Sequence, residues 1–241
     1  KDIQADVTSL QAKQYMKILG PLLSKNQVNL VDIDQLLKTW DHSYDINSKG
    51  ATVFDAFYDA LITDLLQRIY GEEGATAVKV KFGGPYFHYL DKMIFSYDKA
   101  LDSLLWKGES RETWFFRIWQ KVSKKWKSVE SVPTWGEAHA YTASNMFFAG
   151  KLGAAAKFLG LDFGPLPMKG NRATVCQGQV WRDDERELSF APSWRFVSDM
   201  STLKAETSLP GGPSSRFLSN LYTNDLFERY VNHEYKTLSL E

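Results

Sequence analysis

A single cysteine, four histidines and no long apolar run are found in the 241 residues, and each scarcity removes a class of function. Cys176 alone permits no internal disulfide and no cysteine-based zinc cluster. His42, His88, His139 and His233 never stand four apart, so the paired imidazoles of a helical zinc site are missing. No stretch reaches the roughly 18 apolar residues that span a bilayer, which argues against a membrane protein. Basic and acidic residues balance at 29 each, and no long basic tract occurs. Nucleic-acid binding depends on neutralising phosphates, so this balance argues against such a partner. The densest basic stretch, 121–127 (KVSKKWK), reads at helical spacing as a solvated face.

What the chain has in quantity is aromatic: 8 Trp, 11 Tyr and 15 Phe. Such side chains bury large areas, and core packing is the favoured reading over an aromatic-lined groove. The length suffices for a substantial core, as one large domain or two smaller ones. Lys1 follows no initiator Met and opens no leader-like segment, so an artificial or processing boundary is expected there. Leu240-Glu241 fits a cloning scar.

Apolar residues recur at helical spacing from Gln4 to Leu23, with Pro21 expected to kink or end the element. A second helix is predicted over 32–40, with Asp32 as its N-cap. A strong stripe from Val53 to Tyr70 stops at Gly71. Gly83-Gly84-Pro85 breaks the chain, Pro85 suits the first turn of a helix running through Leu105, and 111–127 forms another. Past Pro133 the texture changes. Gly and Pro punctuate 163–170, and β-prone runs follow at 173–180, 194–200 and 203–209, with 210–215 as an irregular loop and a short helix near 224–230. Helices first and strands afterwards predict an α+β fold, divided into a helical domain over 1–160 and a strand-rich segment over 161–241.

Several constellations invite chemistry. Asp45, Asn47 and Gly50 imitate the mouth of an EF-hand, but the fifth position is Lys49 and the twelfth is Ala56, so two oxygen ligands are missing. A helix-to-helix turn is the reading adopted. His139 has Glu137 two residues away, a spacing that suits a structural histidine better than a general base. Asp183, Asp184 and Glu185, between Arg182 and Arg186, read as a solvated hairpin tip rather than a cation site. Ser9 with Asp6 reads as helix-surface polarity, and Cys176 as a small apolar-like residue in a strand.

Seven landmarks then line up in order: QADVTSLQA (4–12), LLKTWDHSYDINSKGATVFDAFY (36–58), WGEAH (135–139), FGPLPMKG (163–170), APSWRFVSDM (191–200), SLPGGPSS (208–215) and LFERYVNHEYKTLSL (226–240). The succession resembles the C-terminal part of the β-chain in the penicillin acylase (penicillin amidase) family of N-terminal nucleophile hydrolases. That resemblance implies an amidase whose N-terminal serine attacks an amide carbonyl while its own α-amino group takes the proton. It implies an αββα sandwich that the strands of this chain would complete. The family's nucleophile, its oxyanion-binding Asn and Arg, and its calcium ligands all precede the Gln4 helix, so no catalytic, cofactor or metal residue is carried over to this chain. Ser144-Asn145-Met146-Phe147 is similar to the family's Ser-Asn-x-Trp, but Ala143 stands where the family has Gly, and Phe147 where it has Trp. Gly212-Pro213-Ser214-Ser215 departs from the family's Gly-Gln-Ser-Gly.

Two functions follow as expectations. In the first, the chain is the inactive C-terminal part of an amidase acting on linear acyl amides, of penicillin or acyl-homoserine-lactone type. Its partner is then the missing N-terminal part of the same precursor, and the isolated chain is expected to self-associate. In the second, it is a free-standing helical module that binds a ligand or partner. An upstream Gly-Ser-Asn-x-Trp in the gene favours the first, and an initiator Met just before Lys1 the second.

Overall fold

Ser9 decides where the first helix starts. Its backbone is extended and its hydroxyl accepts the Ala12 amide at 3.0 Å, capping α1 (Leu10–Leu23). The periodicity from Gln4 therefore overran the helix. A short 3-10 turn covers Ile3–Ala5, and Val7 and Thr8 run extended, pairing with Tyr44 and Ser43. Pro21 lies inside α1, near its end. The computed structural model describes residues 1–24, 31–82, 86–96, 105–106, 108–145, 154–178, 190–214, 216, 219–222 and 226–239.

Helix α2 (Val31–Thr39) places Asp32 in its first turn, not at the N-cap the sequence suggested. Helix α3 (Lys49–Phe82) begins where the Ser48 hydroxyl accepts the Ala51 amide at 3.2 Å. Its first helical stretch ends at Gly71, where the sequence placed the stop. That glycine, at φ 73°, swings the axis, and a second helical stretch continues over 72–82. Helix α4 (Tyr86–Phe95) follows; Pro85 and residues 97–104, where the predicted helix continued, lie outside the described residues. Helix α5 (Arg111–Val122) is capped by Ser110 and turns into a 3-10 segment, Ser123–Lys125. Lys121, Lys124 and Lys125 are exposed, while Trp114, Phe115, Ile118, Trp119 and Val122 are buried.

One apolar cluster joins α1 to α5. Tyr15 sits at its centre, edge-on to Tyr58 (5.2 Å) and Phe95 (4.8 Å) and stacked on Phe115 (5.8 Å). The indoles meet their hydrogen-bonding needs within it. Trp114 donates to Asp64, and Trp119 to buried Asp34, each at 2.8 Å. The abundance of aromatic residues is thus largely core.

The remainder is built from two small antiparallel sheets and short helices, so the fold is α+β. Helix α6 (Trp135–Ala138), capped by Thr134 with Glu137 reciprocating, leads into β1 (Ala140–Ala143), which pairs with β2 (Phe163–Pro167). Helix α7 (Ala154–Phe158) lies between them in sequence. Strands β3 (Arg195–Asp199), β4 (Lys204–Ser208) and β5 (Lys236–Ser239) form a meander in that spatial order. Between β4 and β5 comes α8 (Leu226–Val231), which touches β2 on one side and β4 on the other. Its Phe227, Tyr230 and Val231 make a second cluster with Met168. The strand predicted over 173–180 does not form across the described residues, where 172–176 turn and bend; 179–180 lie outside them. Strands β1, β2 and β5 had not been predicted. No helix among the described residues is long and apolar enough to cross a membrane.

Candidate functional site

Met168 to Gly178 is the segment on which the two clusters meet. The Met168 amide donates to His139 O at 3.2 Å, the Gly170 amide to Tyr44 O at 2.8 Å, and the Cys176 amide to Asp6 O at 2.8 Å. The Trp135 indole donates to Gly170 O at 2.9 Å. Only a glycine fits at 170. Its φ is 85°, and an added Cβ would stand 1.9 Å from the Cys176 carbonyl oxygen.

Most of the residues singled out by sequence sit around this segment. His139 is buried, stacked on Trp135 at 4.4 Å, with Nδ1 3.1 Å from Met168 O. Glu137 is turned away, its carboxylate accepting the amide and hydroxyl of Thr134 at 2.7 and 2.9 Å. These hydrogen bonds hold the Glu137 carboxyl below its usual range. Histidine and carboxylate are thus spent separately on structure.

Cys176 is buried, and its Sγ lies 3.2 Å from Nε2 of His233. Burial raises the thiol above its ordinary value. Burial first, then the cations Arg195 and Lys169, lower His233 to about 3. Both partners are neutral at pH 7. A nucleophilic cysteine requires the opposite arrangement, a thiolate beside a charged imidazole.

Ser9 is fully buried and occupied as a helix cap. Asp6 accepts the Thr8 amide at 2.8 Å, and that bond lowers its pKa. With Thr8, Leu10, Lys13 and Ala173 to Val175, Asp6 lines an open cavity of about 460 Å³. Asn145 spends its amide on Asp162 (3.0 Å) and its side chain on the Tyr222 hydroxyl (2.7 Å). Met146, Phe147 and the acidic stretch 182–186 lie outside the described residues.

At the apparent calcium loop, Asp45 Oδ1 accepts the Asn47 amide at 3.0 Å, an Asx turn. Lys49 points away to the Val129 carbonyl at 2.9 Å. No group of three or more His, Cys, Asp or Glu among the described residues is placed to hold a metal ion.

Sequence reasoning missed Arg172. Its guanidinium lies over the Phe87 and Tyr58 rings, 4.0 and 4.5 Å from their centroids, and 3.9 Å from Asp55. Below it, Asp91 gathers hydroxyls from Tyr15 (2.6 Å) and Tyr58 (2.8 Å) and the Gln11 amide. These contacts bind the segment to α1, α3 and α4. Of the serines and cysteine singled out by sequence, Ser9 is spent as a helix cap and Cys176 faces a neutral imidazole.

Compared with known proteins, residues 1–241 match the sequence model of one family, described as penicillin amidase. No curated protein matches the chain at a significant level.

Proposed function

Since the chain belongs to the penicillin amidase family, a family of amidohydrolases, we propose that it is the C-terminal, structural part of an amidase whose catalytic serine is carried by preceding polypeptide. The parent hydrolyses a linear acyl amide through an acyl-enzyme, with penicillins or acyl-homoserine lactones as the substrate class. The chain contributes scaffold to that enzyme, not chemistry.

The observation that carries this reading is how the reactive residues singled out by sequence are employed. Ser9 caps α1, His139 holds Met168, and Cys176 and His233 face each other uncharged. Acyl transfer needs a nucleophile within reach of a base and donors fixed on the developing oxyanion. Ser9, His139 and Cys176 do not form such a set.

The β3–β4–β5 sheet supports the scaffold role. One face, with Arg195 and Ser208, packs towards α8; the other carries Trp194, Phe196 and Leu238, 58, 40 and 46 % exposed. A helix on one side of a sheet and apolar side chains on the other is half of a layered sandwich. The missing layer is assigned to the preceding part of the precursor.

The test is amide hydrolysis by the purified chain. With a chromogenic acyl amide it should not exceed the blank, and co-expression with the preceding part of its precursor should yield turnover. Hydrolysis by the 241-residue chain alone overturns the proposal.

A further inference from the structure

Three side chains bury a polar atom without a hydrogen-bond partner among the described residues: Nη2 of Arg195, Oγ of Ser208 and Nδ1 of His233. Arg195 Nη1 and the His233 amide both donate to Tyr230 O, near the end of α8. Arg195 and Ser208 are only 4 and 3 % exposed, and they stand directly opposite each other in the β3–β4 register, so they share a face. Arg195 is held firmly. Its Nη1 donates to Tyr230 O at 2.6 Å, and its guanidinium lies 4.0 Å over the Tyr230 ring. That leaves Nη2 as an oriented donor with nothing to meet.

His233 follows α8 with φ at 59°, an uncommon conformation for a residue with a side chain. Its Nε2 faces the Cys176 thiol at 3.2 Å. The thiol's other acceptor within reach is Lys169 O at 3.7 Å; when the thiol donates to Nε2, or when the ring is protonated, Nδ1, the unpartnered nitrogen, carries a proton. Three donors are then available: a guanidinium N–H, a hydroxyl and an imidazole N–H.

The charge balance has the same sign. Among the described residues no carboxylate lies within ion-pair distance of Arg195, although buried guanidinium groups are normally paired. Glu206, on the same face of β4, is taken by Lys1 at 2.5 Å. The charged groups acting on His233 are Arg195 and Lys169, both cations; Cys176 and Tyr230 are held neutral. A buried cation with three unsatisfied donors lacks one chemical species, an acceptor with negative charge.

We propose that Arg195, Ser208 and His233 form a buried receptor for one carboxylate, which the guanidinium and the hydroxyl engage directly while the imidazole donates through Nδ1. Guanidinium and carboxylate match in shape and charge, which makes this pair the strongest of the available hydrogen bonds. The carboxylate is either a free small acid or an acidic side chain of a protein segment. The site stands whether or not the amidase reading holds.

The decisive measurement is the titration of His233 by NMR in the full 241-residue chain, with sodium acetate against sodium chloride at constant ionic strength. A free acid should raise the midpoint with acetate concentration, and should do so several-fold less effectively in Ser208→Ala. A protein-borne carboxylate should hold the midpoint at or above the ordinary 6.5 without acetate, and Ser208→Ala, which changes no charge, should lower it. A midpoint that stays near 3 in every buffer, or an acetate response identical in Ser208→Ala, overturns the assignment.

Discussion

At Gly50 the backbone lies so close to the Trp40 indole that no side chain fits: an added Cβ would stand 2.4 Å from Cγ and 2.6 Å from Cδ1. Trp40 cannot yield, because it donates to Ser43 O at 3.0 Å and packs against Phe54 at 5.2 Å. Gly50→Ala should therefore cost about 1–3 kcal/mol, the usual penalty for overpacking. The check is a lower urea midpoint with an unchanged slope. Cys176 supports a second expectation at this scale. The thiolate is the reactive species, and here the thiol is buried and its pKa raised. A disulfide reagent at pH 8 should label it only as fast as local opening allows, and urea should bring the rate up to that of a free thiol. Rapid labelling of the native chain would contradict the burial. Neither residue's role was readable from sequence. Gly50 looked like a loop-turn glycine, whereas it is the place where two helices approach, and Cys176 looked like a strand residue because its contact with His233 spans 57 positions.

Helices α3 and α5 are locked by charge as well as by aromatic packing. Asp64 accepts from Arg68 and Trp114 at 2.8 Å and from Arg117 at 3.1 Å; Glu109 accepts from Arg68 at 2.6 Å and Arg117 at 2.9 Å. Burial pushes both carboxyls upwards, but the hydrogen bonds from Arg117, Arg68 and, for Asp64, Trp114 outweigh it and hold both below their ordinary values. A carboxyl depressed in the folded state binds fewer protons there than in the unfolded chain. Its stabilisation is therefore complete above about pH 5 and is lost as pH falls through 4 towards the folded value. Asp64→Asn should remove about 1–3 kcal/mol at pH 7, as expected for hydrogen bonds to a charged group, and should flatten the stability profile between pH 5 and 3. Parallel profiles for variant and parent would exclude the network as a source of acid sensitivity. The two helices themselves were legible, because their stripes repeat every three to four residues. The network was not, because it joins residues up to 53 apart whose proximity only packing creates.

At the scale of the molecule, the α+β order was visible in the shift from periodic helices to Gly- and Pro-punctuated runs, while strands β1, β2 and β5 escaped. β2 reads FGPLP, and two prolines in five residues speak against a strand until it is seen as one edge of a two-stranded pair. Which face of β3 points inward was not legible either. In SWRFV the apolar Trp194 and Phe196 alternate with Arg195, so hydrophobicity alone would turn Arg195 outward. The chain does the reverse: Arg195 is buried and the aromatic pair, 5.0 Å apart, faces out. That inversion has a consequence for the isolated chain. Trp194, Phe196 and Leu238 leave an apolar sheet face bordered by β3 and β5 as edge strands, the kind of surface that recruits another chain. Sedimentation velocity should show self-association that grows with concentration. Phe196→Lys should weaken it while leaving the thermal midpoint nearly unchanged, because that ring is exposed and belongs to neither apolar cluster among the described residues. A parent chain that stays monomeric at high concentration would argue that this face needs no cover, and with it would go the sheet's support for a missing layer.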